Sequence, residues 1–471
     1  MTPWILFGPE IVFLLTALGF LCVSMTRLRD GIAFWALVLA AIGVAACVAG
    51  AGLEGELFYG TYRIDLFSQV FKALLAMGLF LVVCLCPNLQ GVASERHPEL
   101  FALLFTCTLA MMLLVSSVHL LTMYVALELS SYSLYILVAM RDQRARTIEA
   151  SLKYFLTGVV ASAVMVFGLA LLYSVTQAVF VDELVRVLPA AVTDPVVAIG
   201  LLLTLCGFFF KLAVFPFHIW APDVYQGAAN QVSAYIATAS KVAAVAILTR
   251  IVALTGNGSP YLVHALVALS IVSMTVGNLS AIAQKDIKRL FAYSSIAHAG
   301  YVLIGILSMS ASGYAAAVFY AMAVLVMKFT CFLVVVKVAD NGENLDIGQL
   351  AGLHHRSPVL AMALMISVFG LAGIPPTVGF TGKLLLFTAA MENGYLTLIL
   401  IAMANVVISL YYYLLVVKAA YLAEPELPQG SLSVSLPERI LAGSLVAFMV
   451  VAGIYPSWFI DLAREAVRSL G

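Results

Sequence analysis

From the fourth residue onward, apolar runs of about twenty residues follow one another with only short polar interruptions. Wound as a helix, a run of that length crosses the hydrocarbon of a bilayer. In lipid each backbone polar group must be satisfied within the protein, which leaves helices as the reading for such runs. The windows lie near 4–25, 32–53, 65–86, 98–116, 118–139, 153–178, 195–219, 231–254, 261–283, 290–309, 313–338, 358–391, 395–420 and 437–459. The chain is therefore predicted to be an all-α polytopic membrane protein of about fourteen transmembrane helices. The tightest junction is Ser116-Ser117-Val118-His119, between the fourth and fifth windows. The longest polar connections, around 140–152, 179–194, 339–357 and 421–438, are too short to be domains. A single membrane domain is expected.

Composition agrees: 63% of residues are hydrophobic, 10% are charged and mean hydropathy is +1.07, too little charge to cover a soluble fold. The 24 Lys and Arg balance 24 Asp and Glu, which excludes a broadly basic nucleic-acid surface. The seven cysteines sit in or beside apolar runs without metal-ligand spacing, and read as small buried hydrophobes. The first run lacks a basic leader and a small-residue cleavage site, so it is expected to be a retained span.

Orientation follows from where the cations fall. One set of loops holds Arg27, Arg29, Arg96, Arg141, Arg144, Arg146, Lys153, Lys285, Lys288, Arg289, Lys337, Arg356, Lys418 and Arg439. The other holds Arg63, Arg186, Arg250, Arg464 and Arg468. This bias predicts both termini on the non-cytoplasmic side of the membrane. The remaining cations, Lys72, Lys211, Lys241, Lys328 and Lys383, fall within spans.

Two spans carry helix breakers. Pro216 follows Lys211 and is expected to free the carbonyl of Leu212. Pro375 and Pro376, between Gly373 and Gly379, are expected to free the carbonyls of Leu371 and Ala372. Unpaired backbone at that depth is tolerated only against protein or a hydrated cavity. Grouping spans four to eight and nine to thirteen puts a broken helix fourth in each unit of five. An odd number of spans inverts consecutive units, as in many transporters. The expected division is residues 1–97 with helices one to three, 98–254 as repeat one, 261–420 as repeat two, and 437–471 as helix fourteen and a tail.

Chemistry is expected at the buried ionisable groups. Glu128 lies near the middle of the fifth window, where a charge costs about 2.5–3.5 kcal/mol on insertion scales. Ser131, Tyr132 and Tyr135 share its face. Lys211 and Lys241 lie well inside the seventh and eighth windows, and Lys241 is read as central in an unbroken helix, too deep to snorkel. An amine taken out of water holds its proton less firmly, and an approaching carboxylate reverses that, so a mobile Glu128–Lys211 pair would act as a proton switch. Lys383 is the counterpart after the second break. His298 has hydroxyl neighbours Ser294, Ser295 and Tyr301 and suits a relay, though a satisfied interior histidine fits as well. Lys328 is placed to link the two units, and His218 is a further relay candidate. Lys153 and Lys288, at helix ends, are candidates for proton entry or for plain anchoring. Lys72, near a helix start, is expected to snorkel.

Gly50-Ala51-Gly52-Leu53-Glu54-Gly55 matches the dinucleotide fingerprint but closes a span with no strand before it, so no nucleotide is expected there. No P-loop, haem pair or iron–sulfur cysteine run is present, so no catalytic redox, cofactor or metal site is assigned to this chain.

Several segments carry a resemblance. They are Ala126-Leu127-Glu128-Leu129-Ser130-Ser131-Tyr132, Lys153-Tyr154-Phe155, Ser240-Lys241-Val242 and Lys288-Arg289-Leu290, together with Phe210-Lys211-Leu212 running on through Pro216, His218 and Trp220 to Tyr225. With the block from Gly373 to Lys383, the sequence resembles the antiporter-like subunits of bacterial respiratory complex I, most of all subunit N, over residues 100–420. The resemblance implies a proton-translocating subunit of an NADH:quinone oxidoreductase, with Glu128, Lys211, Lys241 and Lys383 on its hydrophilic axis. It implies other membrane subunits as partners, with flavin, iron–sulfur clusters, quinone and NADH handled elsewhere in the complex. A cation/proton antiporter subunit of the multisubunit sodium–proton type is the alternative. One departure stands out: where the family usually has an acidic residue and a Pro-Thr-Pro-like turn after Tyr225, this chain has Gln226-Gly227-Ala228-Ala229-Asn230-Gln231.

Overall fold

The computed structural model describes residues 3–26, 31–87, 89–142, 145–191, 194–255, 260–425 and 430–470. Arg27, Arg29 and Arg144 of the positive-inside count lie outside the described residues. The short α1 (Pro3–Leu6) leads into α2 (Gly8–Ser24) and α3 (Ile32–Ala49). A hairpin of β1 (Gly55–Leu57) and β2 (Tyr62–Ile64) comes next, with Glu56 opposite Arg63. Alternating polarity over a few residues was too weak a signal to set against the apolar windows, so the hairpin is an addition to the predicted all-helical chain. Helices α4 (Leu66–Val83), α5 (His97–Ser116), α6 (Leu120–Ala139) and α7 (Ala145–Thr176) follow. The tight fourth–fifth junction is a backbone break, with Tyr62 bridging to Ser117 and His119 to Phe180.

Beyond α7, the polar 179–194 connection contains the amphipathic α8 (Val181–Ala191), whose buried face is Val181, Leu184 and Leu188. The seventh window holds α9 (Pro195–Leu212) and the turn after it, α10 (Trp220–Gly227) begins just beyond its end, and the eighth window is α11 (Asn230–Ala237) and α12 (Ala239–Ala253). Helices α13 (Pro260–Ile282), α14 (Ile287–Leu307) and α15 (Ala311–Val338) precede α16 (Leu353–Arg356). The twelfth window divides into α17 (Pro358–Ala372) and α18 (Val378–Glu392), and α19 (Leu396–Leu422), α20 (Leu436–Ile454) and α21 (Ser457–Arg468) complete the chain.

Among the described residues twelve helices are long and apolar enough to cross a membrane. Two shorter apolar ones, Gly8–Ser24 and Pro358–Ala372, stand at the first and twelfth windows. Burial sorts them by position. The helices of the eighth, ninth, tenth and eleventh windows differ widely: α14 and α15 are almost wholly enclosed, whereas α13 keeps Tyr261, Leu279 and Ile282 exposed. Exposed Leu, Val, Ile and Phe on α2, α3, α7, α19 and α20 form the apolar outside of the bundle, the surface expected where the solvent is lipid.

Close packing requires glycine at particular crossings. A Cβ on Gly168 of α7 would stand 2.4 Å from the Thr204 nitrogen of α9, and one on Gly379 only 1.9 Å from the Gly370 carbonyl oxygen.

Candidate functional site

The site is built on two interrupted helices. Helix α9 ends where Ala213 takes a left-handed conformation, φ +63°, before the cis Phe215–Pro216 bond. The last turn folds its own loose carbonyls inward: Ala213 N–H donates to Phe210 O at 3.1 Å and Val214 N–H to Phe209 O at 2.9 Å. The Trp220 indole N–H also reaches Phe210 O, at 3.1 Å. One carbonyl is taken from outside the helix: Lys241 Nζ donates to Lys211 O at 3.0 Å. Proline geometry alone pointed to Leu212, but the left-handed turn at Ala213 moves the open position back by one residue. An ammonium at a helix C-terminus meets the negative end of the dipole. Lys241 also stands 4.8 Å from the centre of the Trp220 ring, a cation–π arrangement.

The helix bearing Lys241 is interrupted, contrary to expectation. Thr238 has φ −116° and ψ −88° and separates α11 from α12. Neither Pro nor Gly marks the place, so no local signal revealed it. The break sits three residues before the lysine and faces the end of α9.

The second interrupted helix matches expectation closely. Helix α17 ends at Gly373, φ +88°, a conformation that favours glycine. The cis Pro375–Pro376 bond follows. Lys383 Nζ donates to Leu371 O at 2.8 Å and to Ala372 O at 2.9 Å, the two carbonyls the proline pair releases. Tyr301 presents its ring 4.8 Å away.

Between the breaks lie two separate hydrogen-bonded groups, one at Lys211 and one running from Lys328 to Tyr320. Lys211 Nζ donates to Ser130 Oγ at 2.7 Å. Lys328, fully buried, donates to Phe291 O at 2.8 Å and to Ser294 Oγ at 2.6 Å. Ser294 Oγ and Tyr413 OH are 2.5 Å apart, Tyr413 OH lies 3.2 Å from His298 Nε2, and His298 Nδ1 lies 2.7 Å from Tyr320 OH. A small cavity of about 20 Å³ touches Lys241, Ser295 and His298, which is room for one water. Lys328, expected to link the two units, binds Phe291 O and Ser294 Oγ and has no hydrogen bond to Lys241 or Lys383. His218 lies in the linker after α9 and stacks on Phe215, its Nδ1 without a hydrogen-bond partner, so it joins neither group.

Glu128 is displaced from its expected partner. It is only partly buried, accepts a hydrogen bond from the Ser162 hydroxyl of α7, and makes no ion pair with Lys211. Helix position put both groups at similar depth, but Glu128 projects towards α7 while Ser130, two residues on, projects towards Lys211.

A polar layer closes the bundle at the 226–231 loop. Lys153 is half exposed and pairs with Glu149 at 2.6 Å and Asp223 at 2.8 Å. Asp223 also holds Arg289 at 2.6 Å. Gln226 donates to Asp286 at 3.0 Å and accepts from Arg289 at 3.2 Å, so the departing loop supplies an amide bridge of its own. Lys288 is fully buried and donates to Ala228 O at 2.9 Å, which removes it from the role of a solvated anchor. Arg141 reaches Gln226 O at 2.8 Å, Asn344 Oδ1 at 2.9 Å and Gly342 O at 3.0 Å, joining this loop to the one after α15.

Lys72 corrects another expectation. It does not snorkel: it is fully buried 2.7 Å from Glu10 Oε1, and Glu10 is equally buried. Arg250, counted among loop cations, is buried in α12 on Asp65, at 3.0 and 2.9 Å from its two oxygens. Sequence reading missed Ser130, Tyr320, Tyr413, Trp220 and Glu10. Each is a polar or aromatic group in an apolar window, but only contact with another helix gives it a role. Among the described residues no group of His, Cys, Asp and Glu could hold a metal, and Gly50 to Gly55 joins the end of α3 to the first strand of the hairpin.

Such a fold, with buried amines at the ends of interrupted helices, defines a membrane protein of the ion-translocating, antiporter-like class. Residues 117–409 match the family described as NADH:quinone oxidoreductase/Mrp antiporter, transmembrane. The "NADH-quinone oxidoreductase subunit N 2" of Syntrophobacter fumaroxidans is 61% identical over 99% of each chain. That of Opitutus terrae is 40% identical over 100% of this chain and 99% of its own. A chain of respiratory complex I from Thermus thermophilus superposes with a TM-score of 0.85 at 32% identity, covering 97% of this chain and 99% of that one. A chain of the Mrp complex from Dietzia superposes with a TM-score of 0.88 at 22% identity, covering 100% and 98%, a likeness of fold. The chain belongs to the NADH:quinone oxidoreductase/Mrp antiporter transmembrane family, and within it to the NADH-quinone oxidoreductase N subunits.

Proposed function

We propose that this chain is the proton-translocating membrane subunit of an NADH:quinone oxidoreductase, moving protons along Glu128, Lys211, Lys241, Lys328, His298 and Lys383. One observation carries the reading: among the described residues Lys211, Lys241, Lys328 and Lys383 are all buried without an ion-pair partner, each resting on a carbonyl or hydroxyl. A carbonyl holds an ammonium but does not neutralise it, so the proton remains exchangeable. Leaving a buried charge without its partner costs about 3–5 kcal/mol. Moving one charge through 100 mV takes about 2.3 kcal/mol. Closing and opening a Glu128–Lys211 pair is the step that would drive a proton from Lys241. Lys153 and Asp223, at the exposed face of the bundle, take the entry role.

Two five-helix units of inverted topology, 98–254 and 261–420, fit this reading, each with a left-handed residue ending the broken helix and a lysine on its carbonyls. The membrane is the bacterial inner membrane, with both termini outside. Flavin, iron–sulfur clusters and the NADH site belong to partner subunits, as does quinone reduction. Relatives at 61% and 40% identity named as N subunits favour this over the antiporter alternative.

The test replaces Lys241 in the assembled complex. Lys241→Met keeps the length and removes the proton site; Lys241→Arg keeps a charge that does not leave. Both are expected to assemble and to lose proton translocation, measured as vesicle acidification alongside quinone reduction. Normal translocation by an assembled Lys241→Met complex would make this lysine structural.

A further inference from the structure

Among the described residues the hydrophilic axis leaves two buried ion pairs unused, Glu10–Lys72 and Asp65–Arg250. Glu10 of α2 and Lys72 of α4 are both fully buried and form an ion pair at 2.7 Å that is not an aligned hydrogen bond. Tyr62 of β2 donates to the same Glu10 oxygen at 2.5 Å and holds its ring 5.0 Å from the Lys72 amine. Glu10 Oε2, Gln69 Oε1 and Ser116 Oγ are buried with no hydrogen-bond partner. Cys47 of α3 is the other titratable group facing the pair.

A second buried pair on α4 provides the contrast. Asp65 accepts Arg250 on both oxygens and also caps the helix through Ser68 N–H at 2.7 Å. Its cation is a guanidinium, which does not give up a proton. Both Asp65 oxygens are engaged, although Arg250 Nε is buried without a hydrogen-bond partner, and the fixed charge of the guanidinium makes this pair structural. Lys72 and Glu10 are unsaturated, and both can change protonation state. Apolar residues of like size stabilise a bundle at least as well as a buried ion pair, so packing alone gives no reason for Glu10 and Lys72.

Helix packing sets the cluster beside α12, which carries Lys241. Helices α4 and α12 pack antiparallel: Asp65 meets Arg250 at one end, and a Cβ on Gly78 would stand 3.0 Å from Ala239 Cβ at the other. At about 1.5 Å per residue, Lys72 lies about 9 Å from the Gly78 crossing towards the hairpin and Lys241 about 3 Å. Lys72 is thus further along in the direction of the hairpin, the outer face under the proposed topology. Leu6, Leu57, Tyr62 and Ile64 form an apolar cap over the pair, with Phe7 and Leu53 packed on it.

We propose that Glu10 is a further proton-carrying residue for translocation, paired with Lys72 on the outward side of Lys241. The inference rests on the proposed function above. A proton leaving the axis adds to the Glu10 carboxylate to give the neutral acid while Lys72 stays an ammonium. Loss of that proton to the outer side restores the pair, with no other bond or electron changed. Tyr62, by donating to Oε1, directs the incoming proton to the unpartnered Oε2 and is a positioning residue.

The experiment uses the complete complex in vesicles, with Glu10→Gln, Lys72→Met, the double variant and Glu10→Asp beside Lys241→Met. Expected is a double variant that assembles with native Tm and loses proton translocation, and a protonated-carboxyl C=O band in infrared difference spectra of turnover. That band should vanish in Glu10→Gln and shift in Glu10→Asp, with translocation retained in the latter. A double variant that pumps as native, or single variants whose losses the double restores, would make the pair structural and overturn the proposal. If the double variant does not assemble, the band decides, and one unmoved by Glu10→Asp overturns it. Normal pumping by Lys241→Met would instead remove the function on which this rests.

Discussion

At the scale of single residues, a lysine in lipid-depth helix needs something to hold, and here it holds backbone. Lys241 and Lys383 occupy the open ends of α9 and α17, so the broken helices and the amines explain each other. A hydrogen-bonded group from Lys328 to Tyr320 lies between them. Tyr413 is its narrowest point, touching both Ser294 and His298. Tyr413→Phe keeps the buried ring and removes only the hydroxyl. Stability is expected to fall by about 1–3 kcal/mol, the cost of leaving buried partners unsatisfied, while assembly survives. Translocation measured in vesicles should fall with it; an unchanged rate would take Tyr413 out of the path between Lys328 and His298.

Among the helical elements, interruption demands close packing, because exposed carbonyls must be enclosed by protein. Helix α18 begins against the end of α17 with Gly379 under the Gly370 carbonyl, where a methyl group cannot fit. Gly379→Ala is expected to destabilise by about 1–3 kcal/mol or more and to displace Lys383 from Leu371 and Ala372. Gly443→Ala on α20, where nothing lies within 4 Å, serves as the comparison. Thermal unfolding of the purified complexes should separate the two, with the Gly443 variant close to native. Equal stability of both would mean that the α17–α18 junction yields more easily than its contacts imply.

For the whole molecule, the cation bias and the hairpin place opposite faces. The polar layer of Arg141, Lys153, Asp223, Gln226 and Arg289 forms one face, and the hairpin with α8 forms the other, joined by the Arg63–Asp182 pair. Single cysteines at Ala145 and Arg186, both exposed, in a cysteine-free background are expected to react with an impermeant reagent from opposite sides. Labelling of both from one side would overturn the topology. The amphipathic α21 packs on α4 and α15, with Phe67 N–H donating to Ser469 at 3.0 Å. It ties the tail to the same N-terminal helices that carry Lys72.

How much of this could be read in advance depends on range. The spans followed from run length, since lipid leaves an apolar chain little choice but helix. The carbonyls of Leu371 and Ala372 followed from Pro375 and Pro376, because a proline's effect falls four residues back on its own helix. Depth alone singled out Lys241 and Lys328. Partners did not follow. Asp65 and Arg250 are 185 residues apart, and Glu10 meets Lys72 only because α2 and the hairpin close over α4. The break at Thr238 and the turning of Glu128 away from Lys211 likewise arise where helices meet. Sequence fixes what each segment must be in a bilayer, through rules acting over one helical turn. Which buried charges are paired, and which rest on a carbonyl or hydroxyl instead, is decided by helix rotation and crossing, and those exist only in the packed bundle.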